Sequence, residues 1–458
     1  MALAALHPKK TMRERRPLKN VILLTAFCTA GAVSAQDDAA VQAVSSFSDI
    51  DTLWVLLAAF LVFFMQAGFG MVEAGFVRAK NSANVLMKNV LDFCMATLGY
   101  FMFGYAIMYG GGNDYIGTSG WFMIGAESGA DGIPVEAYFL FQAMFAGAAA
   151  TIVAGAVAER MRFVSYLVYS FIISAFIYPV VGHWIWGGGW LADLDFHDFA
   201  GSTVVHTVGG VSALVGAWML GPRFGRFRKD GTPRYIGGHS LPLATIGVFI
   251  LWFGWYGFNA GSTLGFSEPG VVARVALNTT LAPSMGAIVA MALAWRMYGK
   301  PDLTLALNGA LGGLVGITAP CAVVGSGSAL LIGGVSGALV VLCIGWLNRL
   351  RIDDVVGAFP VHGLAGIWGT LAVGLFGQKA LSAPMDGLFM GGGFKALGIQ
   401  ALGVVACVAF IAVTMGIVFK LIKMTVGLRV SHEAELRGLD RDEHGLDSYS
   451  GFQIFHTD

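Results

Sequence analysis

The chain has 458 residues, of which 56% are hydrophobic and 12% charged, and its formal net charge is zero. Soluble domains carry roughly 25% charged residues, so this composition points away from a soluble globular domain, and the zero balance gives nucleic acid no bulk attraction. The mean hydropathy of +0.70 fits a polytopic, all-α membrane protein. The 64 glycines are scattered through the apolar runs, where small residues let helices approach closely.

In chain order, the first element is a processing signal. Lys9, Lys10, Arg13, Arg15, Arg16 and Lys19 precede a short apolar run, 21–33, which closes on Val33-Ser34-Ala35 before polar Gln36-Asp37-Asp38. Basic, apolar and small-residue segments in that order read as a secretory signal peptide over 1–35. The alternative is an uncleaved first span, for which the run is short.

Eleven spans follow, at about 52–76, 85–109, 135–157, 162–182, 202–221, 240–261, 270–297, 303–321, 326–347, 357–377 and 395–423. The membrane domain is therefore 36–424 and the tail 425–458. Basic residues set the direction. With the mature N-terminus outside, Arg78, Lys80, Lys88, Arg160, Arg162, Arg223, Arg226, Arg228, Lys229, Arg234, Arg296, Lys300, Arg349 and Arg351 fall on the inner side. Only Arg274, Lys379 and Lys395 fall outside. The expected location is the cytoplasmic (inner) membrane, multi-pass, with the C-terminus in the cytoplasm.

Two of these spans share a motif. Asp198-Phe-Ala-Gly-Ser-Thr-Val-Val-His206 and Asp354-Val-Val-Gly-Ala-Phe-Pro-Val-His362 both place a histidine eight residues after an aspartate. Each keeps a glycine three residues after the aspartate (Gly201, Gly357) and another four after the histidine (Gly210, Gly366). An ionisable residue inside a span is a functional hypothesis by default. The two spans run in opposite directions, so matching motifs imply a 5+5 inverted repeat, spans 1–5 against 6–10, with one pore per subunit. Each aspartate begins a helix, and eight residues of helix carry each imidazole roughly 12 Å towards midplane. Desolvation there disfavours a charged ring. A neutral pair suits a small solute that hydrogen-bonds and exchanges a proton. It does not suit a metal, since no third histidine, cysteine or carboxylate accompanies it. The five cysteines, Cys28, Cys94, Cys321, Cys343 and Cys407, form neither a metal-ligand pair nor a disulfide framework.

A second group is aromatic. Phe141 and Phe145, Trp186, and Trp252 to Phe258 followed by Ser262 lie on the third, fourth and sixth spans. By topology Phe141, Trp186 and Ser262 fall towards the outer face. Aromatic faces attract a small cation, and a serine hydroxyl accepts a hydrogen bond from one. Singly, each aromatic reads equally as part of the interfacial belt. Together they form an outer cup above an apolar constriction and then the histidines. A permanently charged ion is poorly served there. A protonated amine can leave its proton behind, at a cost on the order of 4 kcal/mol for a group about three pKa units above neutrality.

These residues resemble the ammonium transporter family (Amt/MEP/Rh). The motifs that carry the resemblance are the Asp198–His206 segment, Trp255-Tyr-Gly-Phe-Asn-Ala-Gly-Ser262, Val361-His-Gly-Leu-Ala-Gly366, Ala158-Glu-Arg160 and Thr425-Val-Gly-Leu-Arg429. Trp186-Gly-Gly-Gly189 and the tail motif are similar to the Amt branch. The resemblance implies a homotrimer that takes up ammonium as substrate, with no cofactor. Phe141, Trp186, Ser262 and Asp198 resemble its external binding site, Phe145 and Phe258 its phenyl gate, and His206, His362 and Trp255 its pore lining. It also implies an ordered tail and a PII-type signalling partner at the cytoplasmic face; a solvated tail is the alternative. Glu73 is read as a structural carboxylate near the inner end of the first span. The expected function is ammonium uptake in which the ion is deprotonated and ammonia passes the histidines, with net charge transfer. Two alternatives stay open: an ammonium sensor, or a passive channel for neutral ammonia or carbon dioxide. An enzyme is not expected, because no nucleophile–base set is present.

Overall fold

The computed structural model describes residues 47–449. The expected signal peptide lies outside the described residues. Among the described residues, ten helices are long and apolar enough to cross a membrane. They are α1 (Asp49–Phe76), α2 (Ala79–Tyr109), α3 (Val135–Val157), α4 (Phe163–Asp193), α5 (Ser202–Leu220), α6 (Leu241–Thr263), α7 (Pro269–Tyr298), α9 (Ser326–Arg349), α10 (Phe359–Phe376) and α11 (Lys395–Thr425). Between α7 and α9 lies a shorter apolar helix, α8 (Leu303–Thr318). The only strands among the described residues are a two-stranded hairpin, Gly112–Asn113 with Ile116–Gly117.

Several helices begin on a side chain that satisfies an otherwise unpaired backbone donor. Ser48 accepts from the Asp51 amide and Ser240 from the Leu243 amide. Asp302 accepts from Thr304 and Leu305 at 2.8 and 3.2 Å, which starts α8. The fourth helix continues past its expected end to Asp193, with a break near 186–189. There the His183 ring bonds the Met108 and Asn113 carbonyls at 2.9 and 2.7 Å, tying α4 to the hairpin.

The helices are arranged by how much of each is covered. Helix α3 is buried along nearly its whole length, so it forms the centre. By contrast α7 and α11 expose Leu277, Ile288, Leu402, Val405 and Val413 on their outer faces. An apolar exterior of this kind fits lipid as the surrounding solvent. Helices α5 and α10 cross at glycine. A methyl at Gly210 would lie 2.0 Å from the Gly363 nitrogen, and one at Gly366 would lie 2.5 Å from the Ser202 carbonyl oxygen. The glycines placed four residues after each histidine therefore set the crossing distance of the two motif helices.

Beyond α11 the tail forms two short helices, α12 (His432–Arg437) and α13 (Leu439–His444). It is packed on one end of the bundle. Asp440 accepts from the Asn84 amide at 2.8 Å, Glu443 from the Phe163 amide at 2.9 Å and Glu435 from the Phe224 amide at 2.6 Å. Arg429 donates to the Leu220 and Pro222 carbonyls, at 2.8 Å each. Beneath the tail runs a chain of ion pairs, Arg78–Glu159–Arg223–Asp353–Arg226, in which Glu159, Arg223 and Asp353 are buried.

Candidate functional site

Each motif aspartate acts as a cap for the turn that carries its histidine. Asp198 Oδ1 accepts from the Gly201 and Ser202 amides, and Oδ2 from Thr203 and Val204, all at 2.7–3.0 Å. Asp354 repeats the arrangement with Gly357, Ala358 and Phe359 at 2.8–3.1 Å. Gly201 has φ 115° and Gly357 φ 83°, a backbone region that side chains with a Cβ rarely adopt. The segments that follow, Ser202–Thr207 and Phe359–Leu364, are wound as π-helix before returning to α-helix. Such widened turns shift side chains off the regular helical spacing and concentrate at functional sites.

The two turns bring the histidines together. His206 Nδ1 and His362 Nδ1 are 3.2 Å apart, and the rings are nearly parallel at 27°. His206 is fully buried and His362 is 5% exposed. A hydrogen bond between two Nδ1 atoms needs one donor and one acceptor. Neutral rings then present one Nε2–H and one bare Nε2. The Nε2 of His206 is buried and has no hydrogen-bond partner. Burying a polar atom unpaired is unfavourable, and a passing solute able to hydrogen-bond would relieve it.

Aromatic rings cover the pair from the side away from the tail. Phe258 stacks on His206 at 5.2 Å between centroids, and Trp255 on its ring at 5.0 Å. Trp255 is held in place by a 2.9 Å hydrogen bond from its indole N–H to Thr318. Phe145 stacks on Phe258 at 4.1 Å and 30°. Phe141 lies edge-on to Phe145 at 4.7 Å, and Trp186 edge-on to Phe145 at 6.2 Å. The Trp186 indole N–H donates to the Asp198 carbonyl at 2.6 Å. Ser262 donates to the Phe258 carbonyl at 2.8 Å, which leaves its oxygen lone pairs available. Phe145 and Phe258 are both buried, so their stack fills the space above His206.

Ser262 also borders a cavity shared with His197, Phe199 and Arg274. Burial pushes the His197 imidazole down to about 4, so it is neutral at physiological pH and adds no positive charge there. The described residues hold no group of three or more histidine, cysteine, aspartate or glutamate side chains placed to bind a metal ion.

The structure joins Phe141, Trp186, Phe145, Phe258, Trp255, His206 and His362 in one run of ring contacts, to which Ser262 is attached through the Phe258 carbonyl and Asp198 through the Trp186 indole. Two further residues reach this site: Glu73, which the sequence suggests only as a structural carboxylate, and Asn308, which carries no sequence signal. Glu73 on α1 and Asn308 on α8 line a cavity with His362 on its other side. The paired residues Asp353 and Arg223 beneath the tail were also missed.

Residues 53–449 match the model of the Ammonium Transporter Family. Ammonium transporter Amt2 of Archaeoglobus fulgidus is 46% identical over 425 residues, covering 89% of this chain and 90% of that protein. Ammonium transporter Amt1 of Haloferax mediterranei is 42% identical, covering 88% and 80%. Among solved structures, a sensor Amt protein superposes with a TM-score of 0.80 at 37% identity, covering 86% of this chain and 98% of that one. Mep2 of Saccharomyces cerevisiae superposes with a TM-score of 0.78 at 28% identity, covering 85% and 89%. With a family model matching most of its length and relatives above 40% identity, this chain belongs to the Ammonium Transporter Family, whose members are transporters or channels and not enzymes.

Proposed function

We propose that this protein takes up ammonium by binding the ion at Phe141, Trp186 and Ser262, removing its proton, and conducting ammonia past His206 and His362. The observation that carries this reading is the buried, unpartnered Nε2 of His206 directly beneath the stacked pair Phe145 and Phe258. A bare ion gains little from an apolar constriction of stacked rings. A neutral ammonia crosses it and meets a nitrogen that needs a hydrogen-bond partner. Asp198 supports the site from behind by holding four backbone amides. The stripped proton follows through the paired imidazoles, giving net charge movement.

In this reading the end of the bundle that carries the tail is cytoplasmic and the aromatic cup faces outwards, in the inner membrane. Spans 1–5 and 6–10 form an inverted repeat, supported by the matching caps and π-turns of Asp198–His206 and Asp354–His362. The active form is a homotrimer with a pore in each subunit. The docked tail is the contact point for a PII-type regulator.

The test is ammonium-evoked current from proteoliposomes on a solid-supported membrane. A saturable current that is absent for potassium supports uptake with charge transfer. Ammonia flux without current overturns it in favour of a neutral gas channel. The similarity to a sensor Amt protein keeps ammonium sensing as a second reading, favoured if ammonium binds without flux.

A further inference from the structure

Glu73 lies one helical turn beyond Phe69 on α1, about 6 Å further along the axis. The Phe69 ring is 6.0 Å from the His362 ring. Beyond it, Glu73, Asn308, Val356 and His362 border one cavity on the tail side of the histidine pair. Glu73 is 3% exposed, and among the described residues its carboxylate receives no hydrogen bond; Oε2 is fully buried without a partner. A carboxylate that only knits helices together is hydrogen-bonded when buried, so the expected structural role does not account for it. Asn308 donates its amide N–H to the Val356 carbonyl at 3.1 Å, which leaves its amide oxygen as a free acceptor at the same cavity. His362 spends Nδ1 on His206, so its Nε2 is the ring atom left for the cavity.

The charges around Glu73 do not balance. Asp92 and Lys88 on α2 are the two that act on it, and both are buried. Lys88 is turned to the Met161 carbonyl at 2.7 Å, and Asp92 accepts from Thr151 at 2.5 Å. The hydroxyls of Tyr166 and Tyr169 on α4 face the same cluster, and Glu443 and Asp440 of the tail act on Lys88 from the other side. Two buried carboxylates against one buried ammonium leave a surplus negative charge. An uncompensated buried charge is strongly unfavourable, so the cluster retains either a proton or a small cation.

We propose that Glu73 is the acid–base residue at the inner end of the conduction path, where ammonia is reprotonated and briefly held as ammonium. This rests on the uptake reading above. Protonated Glu73 gives its proton to ammonia arriving past His362: the carboxyl O–H bond breaks and an N–H bond forms. The carboxylate and the Asn308 amide oxygen then hold the ammonium until it leaves towards the tail side. The proton removed at the outer cup and passed along the imidazole pair refills the carboxyl. One ammonium enters and one leaves, with no other reactant.

The experiment measures ammonium-evoked current and radiolabelled methylammonium flux in proteoliposomes of wild type, Glu73→Gln, Glu73→Asp and His206→Ala, at several internal pH values. For Glu73→Gln the current falls at least ~tenfold and loses its dependence on internal pH, while half-saturation by external ammonium is unchanged. Glu73→Asp retains current with a displaced internal-pH profile, and it carries the test if the glutamine variant does not fold. Wild-type current and internal-pH profile in both Glu73 variants overturn the proposal while leaving the uptake reading in place, provided His206→Ala is impaired. Absence of ammonium-evoked current in wild type overturns the uptake reading and this proposal with it.

Discussion

His206 and His362 share a hydrogen bond between their Nδ1 atoms at 3.2 Å although 156 positions separate them in the chain. The bond ties their protonation together. If the proton moves from one Nδ1 to the other, the ring that receives it must release its Nε2 proton and the ring that gave it must take one up at Nε2. Both rings are then neutral again, and the Nε2 atoms have exchanged donor and acceptor roles. The pair is therefore a polar lining that accepts a solute hydrogen bond on one ring and donates on the other without carrying charge.

Replacing His206 by leucine removes both the shared bond and the unpartnered Nε2. The expected result is an ammonium current reduced at least ~tenfold, or a current no longer selective for ammonium over potassium. Both are read from proteoliposome currents in the two salts. Unchanged amplitude and selectivity would sink the role assigned to the pair.

Asp198 sets this geometry by its contacts with backbone. Its carboxylate satisfies four amides at the start of the π-turn. Alanine leaves all four unpaired in a buried site, and each buried unsatisfied donor costs about 1–3 kcal/mol. Asp198→Ala should lower thermal stability markedly and abolish transport, measured by detergent-phase melting and by flux. Asparagine keeps one acceptor oxygen and should lose less stability. Equal melting of the alanine variant and wild type would contradict the capping role.

How much of this was legible in the sequence follows from what the physics makes conspicuous. Asp198, His206, Asp354 and His362 stand out because ionisable residues in apolar runs are rare. Their matched spacing also carried the capping aspartates and the glycines at the helix crossing. Phe145 and Phe258 were readable only through family resemblance, since single aromatics in a span are commonplace. The π-turns were not readable: which carbonyl an amide selects depends on the Asp198 and Asp354 caps and on the neighbouring helix, not on local propensity. Glu73 in Met71-Val-Glu-Ala-Gly75 looks like an ordinary carboxylate near a membrane interface. Only the arrival of α8 and α10 beside it places it on a cavity with His362. Arg223 and Asp353, 130 positions apart, carry no local signal of their pairing. Of the eleven expected spans, ten reach membrane-crossing length and α8 is shorter, because the helix stops at Thr318 and the apolar residues 319–324, with Pro320 among them, form a turn.

The helix crossing gives a steric prediction. A methyl group at Gly210 meets the Gly363 backbone at 2.0 Å, where no side chain can move aside. Gly210→Ala should force α5 and α10 apart, separate the imidazoles and lower both melting temperature and ammonium flux. Overpacking of this kind typically costs 1–3 kcal/mol. Full flux in this variant would mean that the crossing distance is not what holds the rings together.

The ion network under the tail predicts a pH dependence. Burial alone would raise the Asp353 carboxyl, but the Arg223 guanidinium beside it overrides this and holds it well below the usual carboxylate range. A depressed carboxyl contributes stability that is complete above its unfolded pKa of about 3.9 and is lost as pH falls towards the folded value. Asp353→Asn should therefore be destabilising by about 3–5 kcal/mol at neutral pH. The gap to wild type should hold constant from pH 7 to 5 and narrow only below about pH 4. A gap that closes already between pH 7 and 5 would assign the effect to another group.

The tail prediction separates regulation from conduction. Deleting the chain after Lys423 removes Asp440 from the Asn84 amide, Glu443 from the Phe163 amide and Glu435 from the Phe224 amide. Those donors sit on α2, at the start of α4 and on the loop after α5, and so at the tail-side ends of helices that frame the path. None of the described residues among those lost has a hydrogen bond or ring contact with His206, His362 or the stacked rings, whose ring partners lie on α1, α3, α4, α5, α6 and α10. The truncated protein should retain selectivity for ammonium over potassium while the amplitude of its current changes. The two are separable because selectivity is set at the constriction, and the end of the bundle sets how readily α2, α4 and α5 move. Unchanged amplitude would show that the docked tail exerts no grip on the path, and lost selectivity would show that it supports the constriction itself.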